Sequence, residues 1–527
     1  MMRATPRSLR GMVSAPHHLA AQAGRDVLAE GGSAVEAAVA TAACLAVVYP
    51  HMTGIGGDGF WLVAEPDGRT WAIDACGAAA LAADRALYHD HATIPWRGPL
   101  AANTVAGTVA GWQAALARSG ATLPLDRLLR DAIHHARSGV VVTAGGAQVA
   151  AAASPALRDL PGAYASVFEP EGRPLVEGDL LRQPALAVTL ERLAGEGLDG
   201  FYRGALAQLI ADDLTQLGSP LAAADLAAFD ARNVTPLEVA ITGARLFNLP
   251  PPTQGVASLL ILALFDRLRA AEADGFDHVH RLVEATKQAF RWRDAHVGDP
   301  ATMTQDAQAL LRDAAALDRM AGAIDTTRAA PWPHPPALGD TTWFGAADAR
   351  GQVVSCIQST YFEFGSGIVL PRTGIVWQNR GCSFALDGDG PNRLRPGARP
   401  FHTLNPALAR FDDGRVMAYG TMGGEGQPQT QAAIFTRHAL FGQPLQAAVD
   451  APRWLLGRTW GDQSTTLKIE AGFDPALYDR LAAAGHVVER VPAWSSMMGH
   501  AGTILRHPGG MIEGAADPRS DGMVATW

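Results

Sequence analysis

Cysteine is scarce in this chain. The four Cys residues among 527 (Cys44, Cys76, Cys356 and Cys382) lie far apart and show no CxxC spacing. That pattern argues against a disulfide framework and against a thiolate metal site. Positive charge is in deficit: 43 Lys and Arg against 52 Asp and Glu leave a net −9. No run of basic residues interleaved with aromatics occurs, which speaks against nucleic acid as a partner. Long apolar runs are also missing. The most apolar stretch, Ala34–Val48, contains Glu36 and is too short to span a bilayer; it reads as a buried helix, and no membrane partner is expected. The N-terminus, MMRATPRSLRGMVSAPHHLA, carries basic residues without an apolar h-region, so the expectation is no secretory signal and a cytoplasmic protein.

What is present is the composition of a globular protein: 48% hydrophobic and 18% charged residues, with 56 Gly and 34 Pro. The stretch from Gly339 to Gly367, GDTTWFGAADARGQVVSCIQSTYFEFGSG, organises the rest. Thr341 and Thr342 follow a Pro-rich segment. Behind them come two expected strands, Thr342–Ala347 and Val353–Tyr361, joined by an Asp-Ala-Arg-Gly turn. A threonine where a loop meets a strand becomes an N-terminus if the chain is cut before it. Its α-amine, with an ordinary pKa of about 7.7–8.0, is then a base for its own hydroxyl.

The remainder alternates between helical and strand patterns. Ser33 is the expected N-cap of the Ala34–Val48 helix, with Glu36 completing a capping box. The turn HMTGIGGDGF (51–60) superficially suggests a dinucleotide loop, but a helix precedes it and a strand, Phe60–Glu65, follows, the reverse of what that motif requires. Helices are expected over Glu177–Glu196, Gly255–Leu268, His278–Ala295 and Gln305–Ile324. A strand is expected over Gly374–Gln378. His278, His280 and Glu284 invite a metal reading, but no further ligand falls at a recognisable spacing, so no metal is expected. Residues 325–340 lack periodicity and read as a flexible lead-in to Thr341.

Several motifs, in one order and spanning nearly the whole chain, resemble the γ-glutamyltransferase family of N-terminal-nucleophile hydrolases. They include GGSAVEAAVATAACLAVVYPHMTGIGGDGF (31–60), NTVAGTVAGW, NLPPPTQGV, GDTTWF, FGSG, RPFHTLNPAL, GTMGGEGQPQ and AADPRSDG. The resemblance implies an α+β fold, a four-layer αββα sandwich. It also implies a precursor that cuts itself between Asp340 and Thr341. The products are a large subunit (1–340) and a small one (341–527), which together form one intertwined domain and associate as a heterodimer, or a dimer of these. No cofactor is implied. Thr341 is the implied nucleophile and Ser359 the second hydroxyl, at a position where the family usually has threonine. Gly423 and Gly424 supply the implied oxyanion-hole N–H groups.

In substrate recognition the chain departs from the family. The arginine that holds a glutamyl carboxylate falls on Cys76, an acidic residue on Ser383, an asparagine on Tyr361, and two serines on His402 and Thr403. The alternative constellation is Tyr361, Gln378, Asn379, Arg380, His402 and Thr403. A guanidinium suits a small carboxylate, and Tyr361 narrows the pocket. WQNRG, RPFHTLNPAL and GTMGGEGQPQ are most similar to the oxamate amidohydrolase branch, which implies hydrolysis of oxamate to oxalate and ammonia in purine degradation. A glutaryl-cephalosporin-acylase-like or γ-glutamyl amide hydrolase, and a non-catalytic binding homologue, are the alternatives.

Overall fold

The computed structural model describes residues 3–332, 341–457 and 464–527. Two seven-stranded antiparallel sheets face each other. One runs in the order Met523–Thr526, Gly11–Ala15, Thr342–Asp348, Val353–Ser359, Asp58–Ala64, Thr70–Ala75, Arg232–Val234. The other runs Arg7–Ser8, Ile512–Ala516, Ala501–Arg506, Val416–Thr421, Ala407–Phe411, Ala244–Asn248, Leu237–Ile241. Both sheets mix strands from before and after Thr341, so neither part of the chain completes a sheet alone.

Side-chain alternation builds the layers. From the strand Asp58–Ala64, Phe60 and Leu62 enter the core between the sheets, where they join Trp343, Leu408 and Ile504. Trp61 and Val63 point the other way, onto a helical layer that includes Ala34–Val48. Beyond the second sheet, Gly255–Leu268, Phe276–His296 and Gln427–Phe435 form the fourth layer. The architecture is therefore the αββα sandwich. Trp343 fits between the sheets because Gly420 and Gly502 face it. A Cβ on either glycine would lie 2.1 or 2.3 Å from the indole.

The capping box of Ser33 and Glu36 is present, and every residue of Ala34–Val48 is buried. Other expectations need correction. The strand expected at Gly374–Gln378 is only isolated bridges, Gly56 to Trp377 and Val369 to Val376. The helix expected over Glu177–Glu196 starts at Pro184, which cannot extend a helix backwards into its own first turn. The helix expected over Gln305–Ile324 divides at Asp313, whose side chain accepts from Ala316 N and caps a new helix, Ala314–Gly322.

Residues 325–332 are anchored rather than loose. Lys287 Nζ, 2.6 Å from Glu284 Oε1, also donates to Ala330 O, and Ala330 N donates to Glu284 Oε2. His280 Nε2 lies 2.9 Å from Asp325 O and therefore carries a proton. His280 Nδ1 then accepts from His486 Nε2, 2.8 Å away. His486 supplies the third member of the His280–Glu284 group that the sequence left incomplete. All three side chains are committed to this clasp, with Lys287 occupying the carboxylate. Residues 333–340, including Asp340, lie outside the described residues.

Candidate active site

The central strands of the first sheet bring the site together at one end. Ser359 pairs with Asp58, and Thr342 with Gln358, so Thr341 comes opposite Ser359 by register. The two neighbouring threonines differ in what their hydroxyls do. Thr342 Oγ1 donates to Gln358 O at 2.7 Å and belongs to the sheet. Thr341 Oγ1 instead receives Gln427 Nε2 at 3.1 Å. Both are buried.

Ser359 Oγ accepts from Tyr361 N at 2.8 Å, just past the strand end. Tyr361 has φ +85°, an uncommon conformation for a bulky residue. It places the ring under Arg380, whose guanidinium carbon is 3.5 Å from the ring centre. Arg380 is 1% exposed. Its Nη1 donates to Thr403 Oγ1 at 3.3 Å, while Nε and Nη2 are buried without a hydrogen-bond partner. Burial pushes its pKa down, and Tyr361 and Asp58 pull it back up. A guanidinium remains charged under such pressure, so the site holds a cation with two donors to spare.

Thr403 O accepts from Gln254 Nε2, which also donates to Gly424 O. Gln254 Oε1 accepts from Arg293 Nη1, and Arg293 pairs with Glu425 at 3.3 Å. These contacts hold the turn Gly423-Gly424, with φ of +113° and +52°. The turn opens onto the short helix Gly424–Gly426 and then onto Gln427–Phe435. Leading N–H groups of a helix have no intrahelical acceptor and carry partial positive charge. The glycine pair thus stands at an N-terminus suited to an oxyanion.

His402 and Asn379, expected among the substrate-binding residues, both have hydrogen-bond partners within the protein. His402 Nδ1 accepts from Leu404 N, so its Nε2 carries the proton and donates to Asp58 Oδ2 at 3.1 Å. Burial and then the Arg380 charge push the His402 pKa well down, keeping it neutral. Asn379 accepts from Phe362 N and donates to Trp96 O, tying the Tyr361 loop to residue 96. Both side chains shape the site, with their polar atoms already occupied.

Asp58 was not singled out in the sequence, yet it lies beneath the site. Its Oδ1 accepts from Gly77 N, Gly107 N and Gln378 Nε2. The two N–H groups approach because these residues are glycines. A Cβ at Gly77 would sit 1.5 Å from Val105 O, and at Gly107 1.9 Å from Ala75 O. Burial pushes the Asp58 pKa up to about 7, against the pull of the Gly77 N–H, Arg380 and Gln378. Asp58, Cys76 and His402 are near enough to share an ion. Four donors already occupy the carboxylate, and a guanidinium adjoins it. Gln254, Glu425 and Gln427 were likewise unassigned, although they lie within the motifs TQG and GGEGQPQ, as was Arg293 on the helix Phe276–His296.

Residues 20–527 match the gamma-glutamyltranspeptidase family. The chain is 53% identical to an oxamate amidohydrolase proenzyme of Klebsiella pneumoniae, covering 99% of this chain and all of that one. It is 39% identical to a glutathione hydrolase-like proenzyme of Bacillus subtilis, covering 97% of each. Its structure is similar to a cephalosporin acylase from Bacillus halodurans, with TM-score 0.92, 32% identity and coverage of 100% and 97%. No helix among the described residues is long and apolar enough to cross a membrane. Thr341 at the head of its strand, the second hydroxyl opposite it and the glycine turn all sit in a scaffold matched over nearly its full length, and the chain belongs to the γ-glutamyltranspeptidase family.

Proposed function

We propose that this protein is a self-cleaving amidohydrolase whose N-terminal threonine, Thr341, splits a small anionic amide, with oxamate as the substrate. It is a hydrolase of amide bonds, as its relatives are named. In the precursor Thr341 Oγ attacks the carbonyl of residue 340, and the ester so formed is hydrolysed. The two resulting chains stay together because both sheets draw strands from each. In turnover the freed α-amine takes the Oγ proton as Oγ attacks the substrate carbonyl. Gly423 and Gly424 N–H groups receive the oxyanion. The C–N bond breaks, the nitrogen leaves as ammonia with that proton, and water hydrolyses the acyl-Thr341 ester.

The observation that carries the substrate class is Arg380: buried, charged, and with Nε and Nη2 unpartnered. A buried unpaired cation is costly, and a carboxylate bound by two N–H groups relieves that cost. In oxamate the carboxylate adjoins the amide directly, which suits an anion site roofed by Tyr361. The similarity to a cephalosporin acylase supports a second reading, a longer acyl amide on the same nucleophile.

Ammonia release from oxamate by purified protein, with intact masses and the N-terminal sequence of any small chain, tests this reading. Expected are two chains, the smaller beginning at Thr341, and ammonia release that Thr341→Ala abolishes while remaining one chain of 55.3 kDa. A cut protein active only on glutaryl amides would favour the acylase reading. Uncut, inactive wild type would overturn both.

A further inference from the structure

Gln427 is fully buried at the first position of the helix Gln427–Phe435. Its Nε2 donates to Thr341 Oγ1 at 3.1 Å, and its Oε1 is buried without a partner. Leaving a buried acceptor unpartnered forfeits its hydration with nothing in return, so a donor is expected there at some stage of the protein's working life. Self-cleavage frees one: it breaks the bond from the Thr341 nitrogen to residue 340 and turns that amide N–H into an α-amine with further N–H donors, a neighbour of Oγ1 on the same residue. The two heads of one carboxamide match these two groups of one N-terminal threonine.

We infer that Gln427 is a catalytic residue that holds both working groups of Thr341, its Nε2–H on Oγ1 and its Oε1 on the α-amine. This rests on the proposed self-cleavage and extends it to the chemistry of the base. The Thr341 Oγ proton moves to the α-amine, giving an ammonium, while Oγ bonds to the acyl carbon and the carbonyl π pair moves to oxygen. Oε1 accepts from that ammonium and stabilises it until the proton passes to the leaving group. An acceptor on the protonated form raises its pKa. Gln427 thus makes the amine a stronger base than its buried surroundings alone would allow.

The test is acylation of Thr341 by p-nitrophenyl acetate, a donor that does not depend on the natural substrate. Nitrophenolate release and the acetyl mass increment on the small chain are followed against pH. Only the neutral amine acts as base, so the acid limb reports its pKa. For Gln427→Leu the limb moves to lower pH and the plateau rate falls about 10-fold or more. For Gln427→Glu, whose carboxylate is a stronger acceptor, it moves to higher pH. A merely structural role would not shift the limb in opposite directions. Where a variant fails to cut itself, chains 1–340 and 341–527 are expressed together, which supplies the cut form directly. Acid limbs that coincide in wild type and both variants overturn the assignment to Gln427 and leave Thr341 untouched. Wild type that stays one chain instead overturns the proposed function, and this inference with it.

Discussion

The guanidinium carbon of Arg380 stands 3.5 Å from the centre of the Tyr361 ring, with both residues buried. A desolvated cation on an aromatic face is stabilised by about 2 kcal/mol. The ring therefore holds the charge in place without neutralising it. An acidic partner would neutralise it and compete with an anionic substrate.

Tyr361→Leu removes the face and keeps apolar bulk. Its kcat/KM on a small anionic amide is expected to fall about 10- to 30-fold, from the loss of about 2 kcal/mol. Tyr361→Phe keeps the face and stays within a few-fold of wild type. Steady-state kinetics on the three proteins checks this; equal losses for Leu and Phe would mean that the hydroxyl carries the effect.

Asp58 gives the fold a pH dependence of defined sign. Its folded pKa, about 7, lies above the ordinary 3.8. Between those values the folded chain holds a proton that the unfolded chain has lost. Its contribution is thus fully present below about pH 4 and is lost as pH rises towards 7. Asp58→Asn has no such titration. The melting temperature of wild type relative to Asp58→Asn should fall as pH rises from 4 to 7. A difference independent of pH would contradict the elevated pKa.

Arg293 and Glu425 pair at 3.3 Å, with side chains 1% and 5% exposed. Removing one partner of a buried pair costs about 3–5 kcal/mol, because the desolvated charge that remains loses that attraction. Arg293→Met should therefore lower the melting temperature markedly. Adding Glu425→Gln should recover part of that loss, and the double-mutant cycle measures the coupling. Because Arg293 also holds Gln254, which donates to Gly424 O, Arg293→Met should slow self-cleavage as well.

Local signals in the sequence were enough for the parts of the fold that depend on them. The Ser33–Glu36 capping box sets the start of a helix, and the alternation Trp343, Phe344, Ala346, Ala347 sets two faces of a strand. The resemblance located Thr341, Ser359, Tyr361, Arg380 and the glycine turn, which the structure links through Gln427, Gln254 and Thr403. What was not legible depends on partners distant in the chain. Asp58 lies in a glycine-rich turn, and its meaning comes from Gly77, Gly107, Gln378 and His402. His402 and Asn379 have site-like chemistry, but their occupied atoms are visible only in three dimensions. Residues 325–330 show no periodicity because Lys287, Glu284 and His280 hold them through backbone atoms, which any sequence supplies.

The most direct test of the central claim compares ammonia release from oxamate and from its neutral diamide, oxamide, in wild type and Arg380→Leu. Leucine replaces a buried unpaired cation, so the variant should fold and cut itself, which intact mass verifies. Charge-assisted hydrogen bonds are each worth about 1.5–3 kcal/mol. Wild type is therefore expected to favour oxamate by about 10²-fold or more in kcat/KM, and Arg380→Leu to lose that preference. A variant that kept the full preference for oxamate, or a wild type that favoured oxamide, would contradict the assignment of Arg380 as the group that reads the carboxylate.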